Sequence, residues 1–263
     1  MTDKTPCFSD IIVDRTQPGV AVVTLNRPQV RNALNLSIRH ELAQAFRSFT
    51  DDKTLRCVIL TGNDEAFAAG ADIEDMSRIG TIEMYHRHTE RLWNAVGECP
   101  VPVIAAVNGY ALGGGLELAM NADIIIAGRG ARFGQPEVRV GIMPGAGGTQ
   151  RLTRALGKFQ AMHLCLTGDL LKAEDAYTLG LVSKLVDDAE VMPAAQKMAQ
   201  HIASLPPIAI AQIKEVIIHG EDAPLQTALA MERKAVQILF ASRDKQEGMQ
   251  AFLEKRQPNF LGE

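Results

Sequence analysis

The sequence predicts an α/β core followed by a helical C-terminal part, and three observations carry that prediction. Short apolar runs rich in Val and Ile, each bounded by turn residues, recur through the first half of the chain. Segments with apolar residues at helical spacing lie between them, the alternation that builds a sheet through crossover connections. From about Gly157 onward the strand signals give way to a series of helical ones. The chain has 263 residues, enough to bury a large core. We divide it into a core over residues 1–200 and a helical C-terminal part over residues 201–263.

The elements follow in order. "DIIVDR" and "VAVVTLN" flank a "TQPG" turn and predict a hairpin. Ile38, Leu42, Ala45, Phe46 and Phe49 fall on one face of an amphipathic helix. "RCVILTG" predicts a buried strand ending in glycine, and Ile73 to Cys99 predicts a loop and a helix. "VPVIAAVNG" is a second buried strand, followed by the triplet Gly113–Gly115, and "ADIIIAG" is a third. Beyond Gly157, "FQAMHLCLTG", "KAEDAYTLG", the Pro193–Leu205 run, "PIAIAQIKEVIIHG" and "PLQTALAMERKAVQILF" predict helices. No linker, repeat or low-complexity segment interrupts them.

Composition excludes several function classes. The hydrophobic fraction of 46% and charged fraction of 22% are ordinary for a soluble globular protein. A formal net charge of −4 provides no basic field for nucleic acid or an anionic membrane. Cys7, Cys57, Cys99 and Cys165 are scattered and form no CxxC pair, which suits core filler in a reducing compartment. "MTDKTPCFSD" carries neither an apolar h-region nor an Arg-rich amphipathic stretch, and no apolar run has the length of a membrane span. The expected location is the cytoplasm. The six histidines form no HExxH and no HxxxH pair, and His86 and His88 would point to different faces of a helix, so no metal site is expected. No GxSxG elbow is present, and no cysteine has an activating context.

Chemistry concentrates at glycine-rich turns. A buried strand, a glycine turn and a helix start together let backbone approach a ligand and offer unpaired N–H groups. The device occurs at "AAGADI" and again at "GGGLEL", which makes a pair of oxyanion-binding amides a candidate. A third glycine-rich stretch, "VGIMPGAGGTQRL", fits neither nucleotide pattern: no GxxxxGK[ST] is present, and Gln150 stands where GxGxxG needs its last glycine. It predicts a loop running into a helix near Thr149. Glu117 follows the triplet by two residues in a strongly apolar run, and Glu137 lies twenty residues further, on a turn expected to leave the Ile124–Ala127 strand. A glutamate in the setting of Glu117 needs hydrogen bonds, a raised pKa or a chemical role. Two carboxylates beside an oxyanion hole would allow acid/base chemistry on an activated carbonyl.

These residues bring the chain close to a known family. From "VTLNRPQVRNALN" through "FAAGADI", "PVIAAVNGYALGGGLELAMNADIIIA", "FGQPEVRVGIMPGAGGTQRL" and "LTGDLLKAEDAYTLGLVSKLV" to "EGMQAFLEKRQPNF", it resembles the crotonase, or enoyl-CoA hydratase/isomerase, superfamily end to end. The resemblance implies a crotonase-like spiral of ββα units with a helical C-terminal trimerisation part, assembled as a homotrimer or homohexamer. It implies that the amides of Ala71 and Gly114 form the oxyanion hole for an acyl-CoA thioester. Glu117 and Glu137 match the catalytic carboxylates, Gly145 a position that helps fix water, and Gln135 a support for Glu137. Ala69, Asp72 and Ile73 match the strip at the adenine end of CoA, Arg31 the loop along the pantetheine arm, and Phe252 and Lys255 positions that reach the CoA of a neighbouring subunit. The acyl pocket is expected from the Glu74–Trp93 region. Glu74 stands where many members carry lysine, so it takes no phosphate role. CoA belongs to the substrate, and no further cofactor is expected. The implied reaction is water addition to a trans-2-enoyl-CoA, giving the 3-hydroxyacyl-CoA. A double-bond isomerase is the alternative, since isomerases of the family commonly keep one carboxylate. An RNA-binding member would need a lysine-rich helix face, and Pro224–Leu239 has only Arg233 and Lys234.

Overall fold

The computed structural model describes residues 8–263. Strands β1 (Ile11–Asp14) and β2 (Val20–Leu25) form the expected antiparallel hairpin, with Ile11 opposite Leu25. Helix α1 (Leu36–Ser48) starts at Asn35, whose side chain accepts from the Ile38 N–H, and it buries the predicted face. Then come β3 (Cys57–Thr61), β4 (Ala66–Ala68), and helices α2 (Ile73–Ser77), α3 (Thr81–His86) and α4 (Glu90–Gly97). Next are β5 (Val103–Val107), β6 (Tyr110–Leu112), α5 (Gly114–Ala119), β7 (Ile124–Gly128) and β8 (Arg132–Gly134). A 3₁₀ turn over Pro136–Val140 leads to α6 (Gly148–Thr167), β9 (Leu170–Lys172), α7 (Ala173–Thr178) and β10 (Lys184–Val186). Helices α8 (Val191–Ala203), α9 (Pro207–Glu221), α10 (Leu225–Leu239) and α11 (Arg243–Glu254) complete the chain.

The strands divide between two sheets. One has the order β1-β2-β3-β5-β7-β10 and is parallel apart from the β1–β2 pair; the other has the order β4-β6-β8-β9, with only β9 antiparallel. Three consecutive pairs, β3/β4, β5/β6 and β7/β8, each send one strand to each sheet and continue into helix. This repetition is the expected spiral of ββα units.

The large sheet is covered on both faces, as a parallel sheet requires. Val58 and Leu60 point into the same cluster as Leu42, Phe46 and Trp93 from α1 and α4. Cys57, Ile59, Ile104 and Ile126 point the other way, against Val191, Ala195 and Ala199 of α8. Burial pushes the Cys57 thiol up to about 12, which keeps it inert. Past α8 the packing thins. Helix α9 has no fully buried residue, and Ile213, Ile217, Leu225, Val236 and Ile238 of α9 and α10 remain exposed.

The sequence reading needs three corrections. The segment Ile73–Cys99 holds three short helices rather than a loop and a single helix. Glu137 does not leave the Ile124–Gly128 strand directly: β8 intervenes, and Glu137 sits in the 3₁₀ turn after it. The three-residue strands of the small sheet were not anticipated, because such short runs show no period.

Candidate active site

The small sheet builds the site. The Gly113 N–H donates to Gly134 O at 2.9 Å, tying the end of β6 to the end of β8. This brings the start of α5 beside the turn that holds Glu137. Gly113 adopts φ 50°, ψ −124°, a conformation for glycine, and a Cβ there would lie 2.8 Å from Glu137 Oε1. A Cβ on Gly115 would stand 2.1 Å from Ala68 O, so only glycine lets α5 pack on the end of β4. Gly113 and Gly115 are thus required, one by its backbone conformation beside Glu137 and the other by the approach of β4, while a Cβ on Gly114 would meet only ordinary contacts.

Ala71 follows the same strand end. Its parallel bridge to Leu34 uses the Leu34 N–H to Gly70 O, at 2.8 Å, and the Asp72 N–H to Leu34 O, at 3.3 Å. The Ala71 amide is left out of that bridge. Gly114 is the first residue of α5, so its amide has no acceptor within the helix. The two are neighbours: a Cβ on Gly114 would lie 3.6 Å from the Ala71 nitrogen. Both residues line a cavity of about 500 Å³ together with Glu117, Glu137 and Gly145.

The two carboxylates differ. Glu117 is 3% exposed, and its Oε1 accepts from the N–H groups of Ala146 and Gly148, both at 2.7 Å. Burial pushes its pKa above the ordinary carboxylate value, against the pull of those amides and of Arg39 and Arg151. Arg151 also donates to Asn121 Oδ1 at 2.9 Å, and the Asn121 amide donates to Glu117 O at 2.8 Å, which fixes the end of α5. No cation among the described residues offsets the burial of Glu137. Burial, reinforced by the charge of Glu117, pushes it up to about 7. Gln135, fully buried, supports it: with its amide nitrogen facing the carboxylate, it donates to Oε1 at 2.9 Å and Oε2 at 3.1 Å.

The other predicted positions fall into two groups. Arg31, Ala69, Asp72 and Ile73 adjoin the Ala71 amide; the Ala69 N–H donates to Arg31 O at 2.9 Å. Arg31 is exposed and pairs through Nε with Glu65 at 2.6 Å. The Asp72 carboxylate caps α2 and pairs with Arg27 at 3.2 Å, so its side chain is already engaged. Ile73 is exposed. Phe252 and Lys255 stand apart: α11 contributes nothing to the cavity lining, and Phe252 is 83% exposed. Glu74 pairs with Arg78 on the surface.

The remaining lining comes largely from the expected segment, with Met76, Met84, Arg87, Thr89 and Trp93, and from Ile142 and Met143 on the opposite side. The lining residues that the sequence reading does not assign are Ile142, Met143 and Ala146, which flank the assigned Gly145, and Arg39 of α1. Arg39 follows the buried Ile38 in a helix read only for its apolar face, and nothing in the local pattern marks it.

Comparison with known proteins identifies the family. The family model for enoyl-CoA hydratase/isomerase matches residues 15–263. A probable mitochondrial enoyl-CoA hydratase of Dictyostelium discoideum is 46% identical over 92% of this chain and 87% of its own length. A probable enoyl-CoA hydratase of Rhizobium meliloti is 43% identical over 96% of this chain and 98% of its own. The crystal structure of an enoyl-CoA hydratase from Bacillus anthracis superposes with a TM-score of 0.93 at 39% identity, covering 97% of this chain and 100% of that one. The chain therefore belongs to the enoyl-CoA hydratase/isomerase family.

Proposed function

We propose that the protein is an enoyl-CoA hydratase that adds water reversibly to a trans-2-enoyl-CoA, in fatty-acid or related acyl-CoA degradation. One observation carries the reading: two carboxylates, Glu117 and Glu137, line the same cavity as the amides of Ala71 and Gly114. The thioester oxygen accepts from those two amides, which stabilise the negative charge that grows on it as C3 is attacked. Two N–H groups and nearby cations favour the charged form of Glu117, so it is the carboxylate available to take a proton from water. Glu137, near neutrality, supplies a proton to C2. Water oxygen bonds to C3, the C2–C3 π bond is lost, and the protons balance across the pair. An isomerase needs one carboxylate to move a proton between two carbons; a second beside a water site favours hydration.

The strip of Arg31, Ala69, Asp72 and Ile73 gives CoA a path to the cavity, with Asp72 contributing backbone because its carboxylate is engaged. Phe252 and Lys255 serve a neighbouring subunit. The apolar residues exposed on α9 and α10 support a trimer or hexamer held by residues 201–263, and the scattered thiols support a cytoplasmic setting. The test is loss of the enoyl-thioester absorbance over a series of enoyl-CoA lengths. Turnover that moves the double bond without consuming it would return the isomerase reading.

A further inference from the structure

We infer that Arg39 selects an acyl chain that ends in a carboxylate. The inference rests on the thioester reading above and concerns another residue in the lining of the same cavity. Arg39 is half-buried, and α1 directs it into the lining beside Trp93, whose ring lies 5.4 Å from the guanidinium carbon. One N–H is used: Nη2 donates to Leu34 O at 2.9 Å. The Nε is buried without a hydrogen-bond partner.

No nearby carboxylate pairs with it directly. Both oxygens of Asp75 are taken by Arg87, at 3.0 and 3.3 Å. Asp72 is taken by Arg27, and Glu117 through Oε1 by the amides of Ala146 and Gly148, so these carboxylates favour the Arg39 charge without forming an ion pair with it. Arg87 is answered by Asp75 and Glu83, so of the two arginines in the lining Arg39 is the one that forms no ion pair among the described residues. Around it the lining is Met76, Met84, Trp93, Ile142 and Met143.

A fully apolar acyl tail would fill that space and leave the buried Nε without a partner, which is costly. A terminal carboxylate would reach the free N–H groups of a planar fork already oriented by Trp93 and Leu34, a strong charge-assisted contact. The ligand class is therefore an ω-carboxylated 2-enoyl-CoA, with its thioester at Ala71 and Gly114.

The experiment pairs two readouts. Calorimetry compares binding of hexanoyl-CoA with its ω-carboxylated counterpart of equal chain length; neither has a double bond to hydrate. Kinetics compares kcat/KM for trans-2-hexenoyl-CoA and its ω-carboxylated counterpart. The expected preference is about 10²-fold or more for the carboxylated member in both, since a site with an unpaired buried donor rejects the analogue that lacks the acceptor. Arg39→Met should collapse the ratio, and Arg39→Lys, which keeps the charge, should retain part of it. Equal binding of both saturated thioesters to the wild-type protein would overturn the inference. So would an Arg39→Met loss that falls equally on both substrates, which would make Arg39 a positioning residue for Glu117. A binding preference that depends on Arg39, in a protein hydrating neither substrate, would uphold this inference and sink the hydratase reading instead.

Discussion

The two sheets divide the labour of the molecule unequally. The six-stranded sheet contains the longer strands and has a hydrophobic cluster on each face, the larger of which it shares with the small sheet through Phe67, Ala111 and Phe133, and none of its strands supplies a lining residue of the cavity. The four-stranded sheet is built of three-residue strands, yet the chain leaving each of β4, β6 and β8 reaches the cavity: Ala71 after β4, Gly114 and Glu117 after β6, Glu137 after β8. The lesson is that both sheets share one core, while the residues that line the cavity follow the strand ends of the small sheet alone. Substitutions at those strand ends should therefore affect turnover, and substitutions in the large sheet should affect unfolding.

The sharpest tests act at the ends of the small sheet. Glu117→Gln and Glu137→Gln should each cut hydration of crotonyl-CoA by at least ~10²-fold, within the range for a general acid or base. The double variant should lose far less than the product, because the pair serves one water. Normal hydration by Glu137→Gln beside a dead Glu117→Gln would reduce Glu137 to a turn residue. Gly114→Pro removes one amide at a helix position that tolerates proline, with an expected loss of ~10²–10³ in kcat. Circular dichroism must show the variant folded, and wild-type turnover in a folded protein would refute the oxyanion assignment.

The pH profile tests the difference between the carboxylates. Glu137 titrates near 7 and must carry its proton to donate it, so kcat/KM for hydration should fall about tenfold per unit well above that value. A flat profile from pH 6 to 9 in the wild type would remove Glu137 as the acid. In the large sheet, Ile104→Ala should cost about 2–5 kcal/mol of stability by denaturant unfolding, with kcat of the folded fraction nearly unchanged. A comparable loss of kcat would mean the two sheets are not separable.

The smallest effect concerns stability alone. The folded pKa of Glu137 lies above that of a free glutamate, so the folded state binds more protons between pH 4.5 and 7 and loses stability as pH rises through that window. Glu137→Gln should raise Tm by a few degrees at pH 8, an order-of-magnitude figure, and by almost nothing at pH 4. An equal shift at both pH values would place the effect in packing rather than charge.

Much of this was readable before any coordinates. The hairpin, α1, β3, β5 and β7 each carry enough residues for a period or an apolar run to show. Glu117 announced itself by its apolar surroundings, and the glycine triplet by its length. The small sheet was not readable locally, because three residues such as Ala66–Ala68 have no period to detect. Its existence depends on contacts across the chain, such as Ala68 beside Ala111 and Phe133 beside Leu171. The position of Glu137 depends on the same unmarked sheet, since its turn follows β8. The split of Ile73–Cys99 reflects Gly80 and the left-handed His88, which interrupt what a hydropathy window averages into one helix. Arg39 was hidden because a single cation next to a buried stripe reads as solvated surface until the opposite wall is known.

The segment from α2 to α4 is one long excursion between β4 and β5, and it forms much of one wall of the acyl cavity. Met76, Met84, Arg87, Thr89 and Trp93 all belong to it, and none of them supplies an amide or carboxylate to the reaction. A lineage could therefore exchange residues there, shorten a helix or extend one, and trial new acyl groups while the chemical apparatus is inherited intact. The arrangement separates what an enzyme does from what it does it to, and such a separation lets duplicated copies of one gene drift toward different substrates without passing through an inactive ancestor.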